Sequence, residues 1–269
     1  MTSRERETAL VTGASSGIGW ELARLFARDG HDLALVARRR ERLEQLGDTL
    51  AREFGVRATI LAEDLSDPST PGRIAAELLR RSLTVDVLVN NAGIGVYGFF
   101  VKTSLEKELE MIQINMTAVT HLTKLLLPGM LERRRGRILN LASTAAFQPG
   151  PLMAVYYATK AYVLSFSEAL ANELAGTGVT VTALCPGPTI TEFQKAAALE
   201  QTRLFTGPLV MSAANAARAG YEGMRKGKRV VIPGLPNNLL VQAVRFTPRR
   251  LVTALARRIQ ERRGGSALN

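Results

Sequence analysis

Short apolar runs alternate along the chain with longer stretches whose apolar residues recur at helical spacing. The runs Ala9–Thr12, Asp32–Ala37, Arg57–Leu61, Val85–Asn90, Gly136–Leu141, Val179–Cys185 and Arg229–Ile232 have the length and character of buried strands. Between them, sets such as Leu22, Leu25 and Phe26, or Leu105, Leu109 and Ile112, mark amphipathic helices. Strands alternating with helices predict a parallel sheet covered on both faces, with right-handed crossovers. About seven such strands make a Rossmann-like, doubly wound α/β fold. The longest stretch without a strand, 186–211, reads as a lid or binding loop. No internal repeat, low-complexity tract or interdomain linker interrupts the alternation.

Composition narrows the picture only in places. The 269 residues are 46% hydrophobic and 22% charged, which suits one α/β domain with a good core. A single cysteine, Cys185, excludes an intrachain disulfide and fits a reducing compartment. The two histidines, His31 and His121, lie far apart with no neighbouring cysteine, so no metal site is expected. The charged N-terminus runs straight into Ala9–Val11 without the apolar core of a signal peptide, and no apolar run is long enough to span a bilayer. The expected location is the cytoplasm. The net charge of +11 is largely local: seven arginines stand against one glutamate between Arg245 and Arg263. No nucleic-acid-binding motif accompanies them, so no nucleic-acid partner is expected.

The first strand ends in TGASSGIG, residues 12–19, and a helix follows. Glycines let a pyrophosphate approach the backbone closely, and a helix N-terminus supplies free N–H groups and partial positive charge. The spacing differs from the commoner G-x-G-x-x-G, and the Lys-Ser/Thr pair of a P-loop is missing. About twenty residues on, a carboxylate would hold the ribose 2′-hydroxyl of NAD, whereas arginine would meet a 2′-phosphate. Here the second strand ends Ala37-Arg38-Arg39-Arg40. That favours NADP(H), with Arg38, next to the strand end, the better of the two candidates and Arg39 beside it.

One further stretch carries chemistry. In VYYATKAY, residues 155–162, Tyr156 and Lys160 stand at i and i+4 and so share a helix face, while Tyr157 points elsewhere. A tyrosine has an ordinary pKa near 10, and a lysine one turn away favours its phenolate.

Taken together, TGASSGIG, Asp64, NNAG at 90–93, Asn115, Ser143, Tyr156-x-x-x-Lys160 and Pro186-Gly187 with Thr191 resemble the short-chain dehydrogenase/reductases of the compact single-domain type. The likeness runs from about Thr8 to Pro233. It implies an NADP(H)-binding catalytic domain over 1–235, including loop 186–211, followed by a basic amphipathic extension over 236–269. Tyr156 would be the acid that protonates a carbonyl oxygen as hydride arrives, or the base in reverse. Lys160 would lower its pKa and hydrogen-bond the nicotinamide ribose. Ser143 would hold the substrate oxygen, and Asn115 a water leading from Lys160 to solvent. Gly13, Ser15, Ser16, Gly17, Ile18 and Gly19 would surround the pyrophosphate. Asp64 and Leu65 would meet the adenine, Asn91, Ala92 and Gly93 the adenosine ribose, and Pro186, Gly187 and Thr191 the carboxamide.

The loops expected around the substrate are apolar: Ile94–Phe100, Phe147–Val155, and Phe193, Leu199, Leu204 and Phe205. They favour a hydrophobic ketone or alcohol. A homodimer or homotetramer is implied through the helices carrying Asn115 and Tyr156. In the tail, Leu251, Val252, Leu255, Ala256 and Ile259 are expected on one helix face, to pack on the domain or a second subunit or to touch an anionic membrane. The rival reading is an NADP(H) sensor or scaffold without catalysis, against which the retention of Asn115, Ser143, Tyr156 and Lys160 weighs. An epimerase or dehydratase of the larger related type would need more chain after the seventh strand.

Overall fold

The structure, a computed structural model, describes residues 6–197, Leu199, Thr202 and 209–261. In chain order its elements are β1 (Thr8–Thr12), α1 (Gly17–Arg28), β2 (Asp32–Ala37), α2 (Arg40–Phe54), β3 (Ala58–Ala62), α3 (Thr70–Arg80), β4 (Val87–Asn90), α4 (Leu105–Ile112), α5 (Ala118–Glu132), β5 (Gly136–Leu141) and α6 (Ala154–Glu173). There follow β6 (Val179–Leu184), β7 (Thr189–Ile190), α7 (Glu192–Ala196), β8 (Met211–Ser212), α8 (Ala213–Arg225), β9 (Val230–Val231), α9 (Leu235–Phe246) and α10 (Arg249–Gln260). Seven strands form one parallel sheet in the order β3-β2-β1-β4-β5-β6-β9. Two of the expected strands match the observed ones residue for residue, and the other five differ by one or two residues at their ends.

Strands covered on both faces read as near-continuous apolar runs, because alternate side chains enter different cores. β1 shows this directly. Ala9 and Val11 meet Leu22 and Phe26 of α1 and the α2 leucines, whereas Leu10 joins Ile74 of α3 and Leu122 of α5. The order reverses between β1 and β4, and the carboxyl ends of those strands open the crevice in which ligands of such folds sit.

Three expectations need correction. The segment 186–211 is not free of strands: β7 and β8 pair in parallel at its two ends, and α7 follows β7. Within it, Leu204 and Phe205 lie outside the described residues. On α4, Leu105 and Leu109 keep the helical spacing but face outward, 70% and 54% exposed, while Glu108 and Met111 are buried. The apolar face of α10 is divided: Val252 and Ala256 are buried with Gln260, and Leu251, Leu255 and Ile259 are exposed. Residues 251 and 252 differ by about 100° around the helix, so a narrow contact can bury one stripe only. Among the described residues, no helix is long and apolar enough to cross a membrane.

Candidate active site

A cavity of about 490 Å³ opens at the carboxyl ends of β1, β2, β4, β5 and β6. Every expected catalytic and cofactor-binding residue lines it except Gly19 and Asn115, whereas of the expected substrate loops 94–100 and 147–155 only Ile94 and Met153 do. Gly19 and Asn115 stand immediately behind its wall.

The glycine turn forms one end. Gly13 has φ +66°, and a Cβ there would come within 2.7 Å of Asn91 Nδ2 and 2.9 Å of Ala92 Cα. Gly19 admits no side chain either, since a Cβ would overlap Asn91 Nδ2 and Gly13 O. Both contacts draw the turn against the Asn91–Ala92 segment, a close approach that only glycine allows. Thr12, buried at the end of β1, ties the same two segments together. Its hydroxyl donates to Val89 O at 3.1 Å and accepts from the amides of Asn91 at 2.9 Å and Ala92 at 3.0 Å. The side chain of Asn91 returns the link, donating to Thr12 O at 2.8 Å.

Both arginines after β2 line the cavity, but they are held differently. Arg39, not Arg38, reaches the glycine turn: its guanidinium donates to Ser15 Oγ at 2.9 Å and Ser16 Oγ at 3.1 Å. Arg38 lies further out, 3.9 Å from Asp64 and 3.8 Å from Glu110. Arg39 precedes α2 with an extended backbone, and the strand end directs it back over the turn. Sequence adjacency to the strand could not show which of the two would point inward.

At the other end, α6 presents Tyr156 and Lys160 to the cavity, with Lys160 Nζ 5.8 Å from the centre of the Tyr156 ring. Ser143, just beyond β5, hydrogen-bonds the Tyr156 phenol and accepts from Ala145 N at 3.1 Å. Burial pushes the Tyr156 phenol up to about 12, against the smaller opposing effect of the Ser143 hydrogen bond. The expected lowering by Lys160 is thus not what the geometry gives. Lys160 is itself buried, its ammonium donates to Leu141 O at 2.7 Å, and loss of solvent brings its pKa down to about 8. A phenol deprived of water resists ionisation, and for Tyr156 that effect of burial is the larger one.

Asn115 lies not in an α-helix but in a π-turn, Gln113–Thr117, between α4 and α5. Its Oδ1 accepts from Ile94 N at 3.0 Å, and its Nδ2 donates to Ile94 O at 3.0 Å and to Thr159 Oγ1 at 3.1 Å. The added residue of such a turn re-aims one side chain inward, which is why these turns are frequent at functional sites. A Cβ on Gly93 would lie 3.2 Å from Asn115 Oδ1 and 3.5 Å from Lys160 Nζ, so the three meet in one place.

The substrate side is apolar. Ile94, Met153, Phe193 and Leu199 line the cavity, and Phe193 lies 5.4 Å from Tyr156, centre to centre. Tyr157 both packs and lines the wall, held by Gln260 Nε2 at 2.6 Å. Tyr97 donates to Gln260 O at 2.8 Å, so the end of α10 braces this wall. Cys185 is fully buried, and its thiol is pushed up to about 12 by that burial. Sequence reading missed Thr12, Glu192 and Gln260 at or behind the site. Thr12 carried a signal, as the first residue of TGASSGIG; Gln260 carried none.

The chain belongs to the short chain dehydrogenase family, whose model matches residues 7–202. Among curated relatives it is 42% identical over 189 residues to a putative ketoacyl reductase of Streptomyces coelicolor, covering 70% of this chain and 72% of that protein. It is 38% identical over 192 residues to a very-long-chain 3-oxoacyl-CoA reductase of Anas platyrhynchos, covering 70% of this chain and 61% of that one. The match spans only 59% of a short chain dehydrogenase from Pseudocercospora fijiensis, at 38% identity over 183 residues and 67% of this chain. Among solved structures, a short-chain dehydrogenase from Sphingobium yanoikuyae in complex with NADPH superposes with a TM-score of 0.79 at 35% identity, over 91% of this chain and 97% of that one. A bulky-bulky ketone specific alcohol dehydrogenase from Comamonas testosteroni gives 0.76 at 33% identity, over 90% and 94%.

Proposed function

We propose that the chain is an NADP(H)-dependent oxidoreductase that moves a hydride between the cofactor and a carbonyl or alcohol group of a hydrophobic substrate. One observation carries the reading: a single cavity has the glycine turn and two arginines at one end and Tyr156, Ser143 and Lys160 at the other. The residues present suit a dinucleotide. Gly13 and Gly19 let the turn pack tightly on Asn91 at the start of α1, where a pyrophosphate would meet backbone N–H groups, and Arg39 with Ser15 forms an anion cradle where a 2′-phosphate would fall. Asp64 and Leu65, the Asn91–Gly93 segment, and Pro186, Gly187 and Thr191 continue the wall between the two ends. When bound, NADPH supplies the hydride.

The chain's own residues supply the rest. Tyr156 keeps its proton at ordinary pH and can give it to the carbonyl oxygen as carbon is reduced, yielding an alcohol. Ser143, on the same oxygen, stabilises the charge that develops there. Lys160 holds a positive charge beside the phenol up to about pH 8, and Asn115 fixes the Gly93–Ile94 segment against it. Ile94, Met153, Phe193 and Leu199 favour an apolar substrate body. The ketoacyl, 3-oxoacyl-CoA and bulky-ketone names of similar proteins agree with that preference.

In the same reading, residues 1–235 form the catalytic domain and 236–269 an extension. The exposed Leu105, Leu109 and Leu125 of α4 and α5 suit a homo-oligomer, and the single cysteine suits the cytoplasm. Leu251, Leu255 and Ile259 offer a second subunit another apolar strip, and sedimentation with anionic liposomes, with and without 236–269, would reveal membrane contact instead.

The deciding assay follows oxidation of NADPH and of NADH against bulky ketones, 3-oxoacyl thioesters and, as a polar control, a ketose. Turnover should prefer NADPH and the apolar substrates. Tyr156→Phe should retain NADPH binding and lose activity by about 10² to 10⁴. NADPH binding with no turnover of any carbonyl would favour the sensor reading; faster reduction of the ketose would remove the hydrophobic substrate.

A further inference from the structure

The guanidinium of Arg39 is pinned over the glycine turn by Ser15 and Ser16, yet its remaining edge is already occupied. Glu192, the first residue of α7, places Oε2 2.8 Å from Arg39 Nη1. The Ser16 hydroxyl also bonds the Glu192 carboxylate, and Arg39 and Ser16 hold its pKa below the ordinary value against a smaller opposing effect of burial. Glu192 lines the cavity, and it follows Thr191, whose methyl lies 3.1 Å from where a Gly17 Cβ would stand. A carboxylate from the substrate-side loop therefore sits on the donors, a guanidinium and a serine hydroxyl, that suit a phosphate. Both partners are about half exposed, at 44% and 51%, so an incoming anion can reach them.

We infer that Glu192 is a cofactor-specificity residue, an internal anion that competes with the 2′-phosphate of NADP(H) for Arg39 and ties α7 to the cofactor end of the cavity until that phosphate arrives. This rests on the NADP(H) reading proposed above. A ligand bearing a 2′-phosphate must displace Glu192 from the guanidinium; a ligand with a free 2′-hydroxyl need not. Glu192 thus narrows the preference for NADP(H) over NAD(H). Arg38 lines the same cavity but is held by other carboxylates, with Asp64 at 3.9 Å and Glu110 at 3.8 Å.

The test is equilibrium titration of wild type and Glu192→Gln with four probes: NADPH, NADH, 2′,5′-ADP and 5′-AMP. An exposed ion pair contributes up to about 1 kcal/mol, so the substitution should tighten NADPH and 2′,5′-ADP about two- to five-fold. NADH and 5′-AMP should stay within error, and in an Arg39→Gln background the same substitution should have no effect on any probe. An unchanged melting temperature would show that the half-exposed glutamine leaves the fold intact. Equal changes for all four probes, no change, or weaker binding of 2′,5′-ADP would overturn the inference while leaving the NADP(H) reading in place. A wild type that binds 2′,5′-ADP no better than 5′-AMP would instead refute the NADP(H) reading, and the role of Glu192 with it.

Discussion

Thr12→Val isolates one hydroxyl at the join between β1 and the Asn91–Ala92 segment. Valine keeps the shape, so packing is held nearly constant while three hydrogen bonds are removed. Asn91 N retains Val89 O at 3.1 Å as a second acceptor. Among the described residues the amide of Ala92 has no other acceptor, so it carries most of the cost. An unsatisfied amide shielded from water costs about 1–3 kcal/mol, and the lost contact to Val89 O adds a fraction more, giving about 2 kcal/mol. Thr12→Ser keeps the hydroxyl and loses one buried methyl, for about 1 kcal/mol. Urea unfolding of the three proteins without cofactor, at matched slope, measures both. Valine should be the worse substitution although it is the better fit. A valine variant as stable as the serine variant, or more so, would show that the hydroxyl does not hold the segment.

Three further outcomes follow from the site. With Lys160 losing its proton near pH 8, carbonyl reduction should hold level below that pH and fall about tenfold per pH unit above it; a profile level to pH 9.5 would remove the ammonium from the transition state. The stability effect has a definite sign. A lysine with a depressed folded pKa is destabilising while charged, so this group adds up to about 3 kcal/mol as pH rises from 8 to 10.5, whereas the raised pKa of Tyr156 takes stability away between 10 and 12. Comparing wild type with Lys160→Met by urea unfolding at pH 7.5 and 9.5 checks the first, the gap narrowing at the higher pH. Gly19→Ala should cost about 1–3 kcal/mol by overpacking and abolish measurable NADPH binding, because the new methyl pushes Asn91 and Gly13 apart; unaltered binding by titration would show that the turn tolerates the shift.

The alternation of apolar runs settled the sheet, because strands buried on both faces are apolar at most positions. Asp32–Ala37 and Gly136–Leu141 were legible to the residue for that reason. The cavity lining was also legible, since glycine spacing and the i, i+4 pair on α6 are local facts that survive folding. What depends on distant partners was not. Lys160 was expected to draw the Tyr156 pKa down, but the ammonium is turned to Leu141 O and both groups are cut off from water, so burial wins. Adjacency to β2 favoured Arg38, yet the path of the chain before α2 brings Arg39 to the serines. Gln260 braces Tyr157 from 103 residues away, and no local pattern could announce it. Sequence periodicity determined which faces are apolar; the tertiary structure decided which polar groups meet and how little water reaches them. Ionisation and hydrogen bonding depend on that second set of facts.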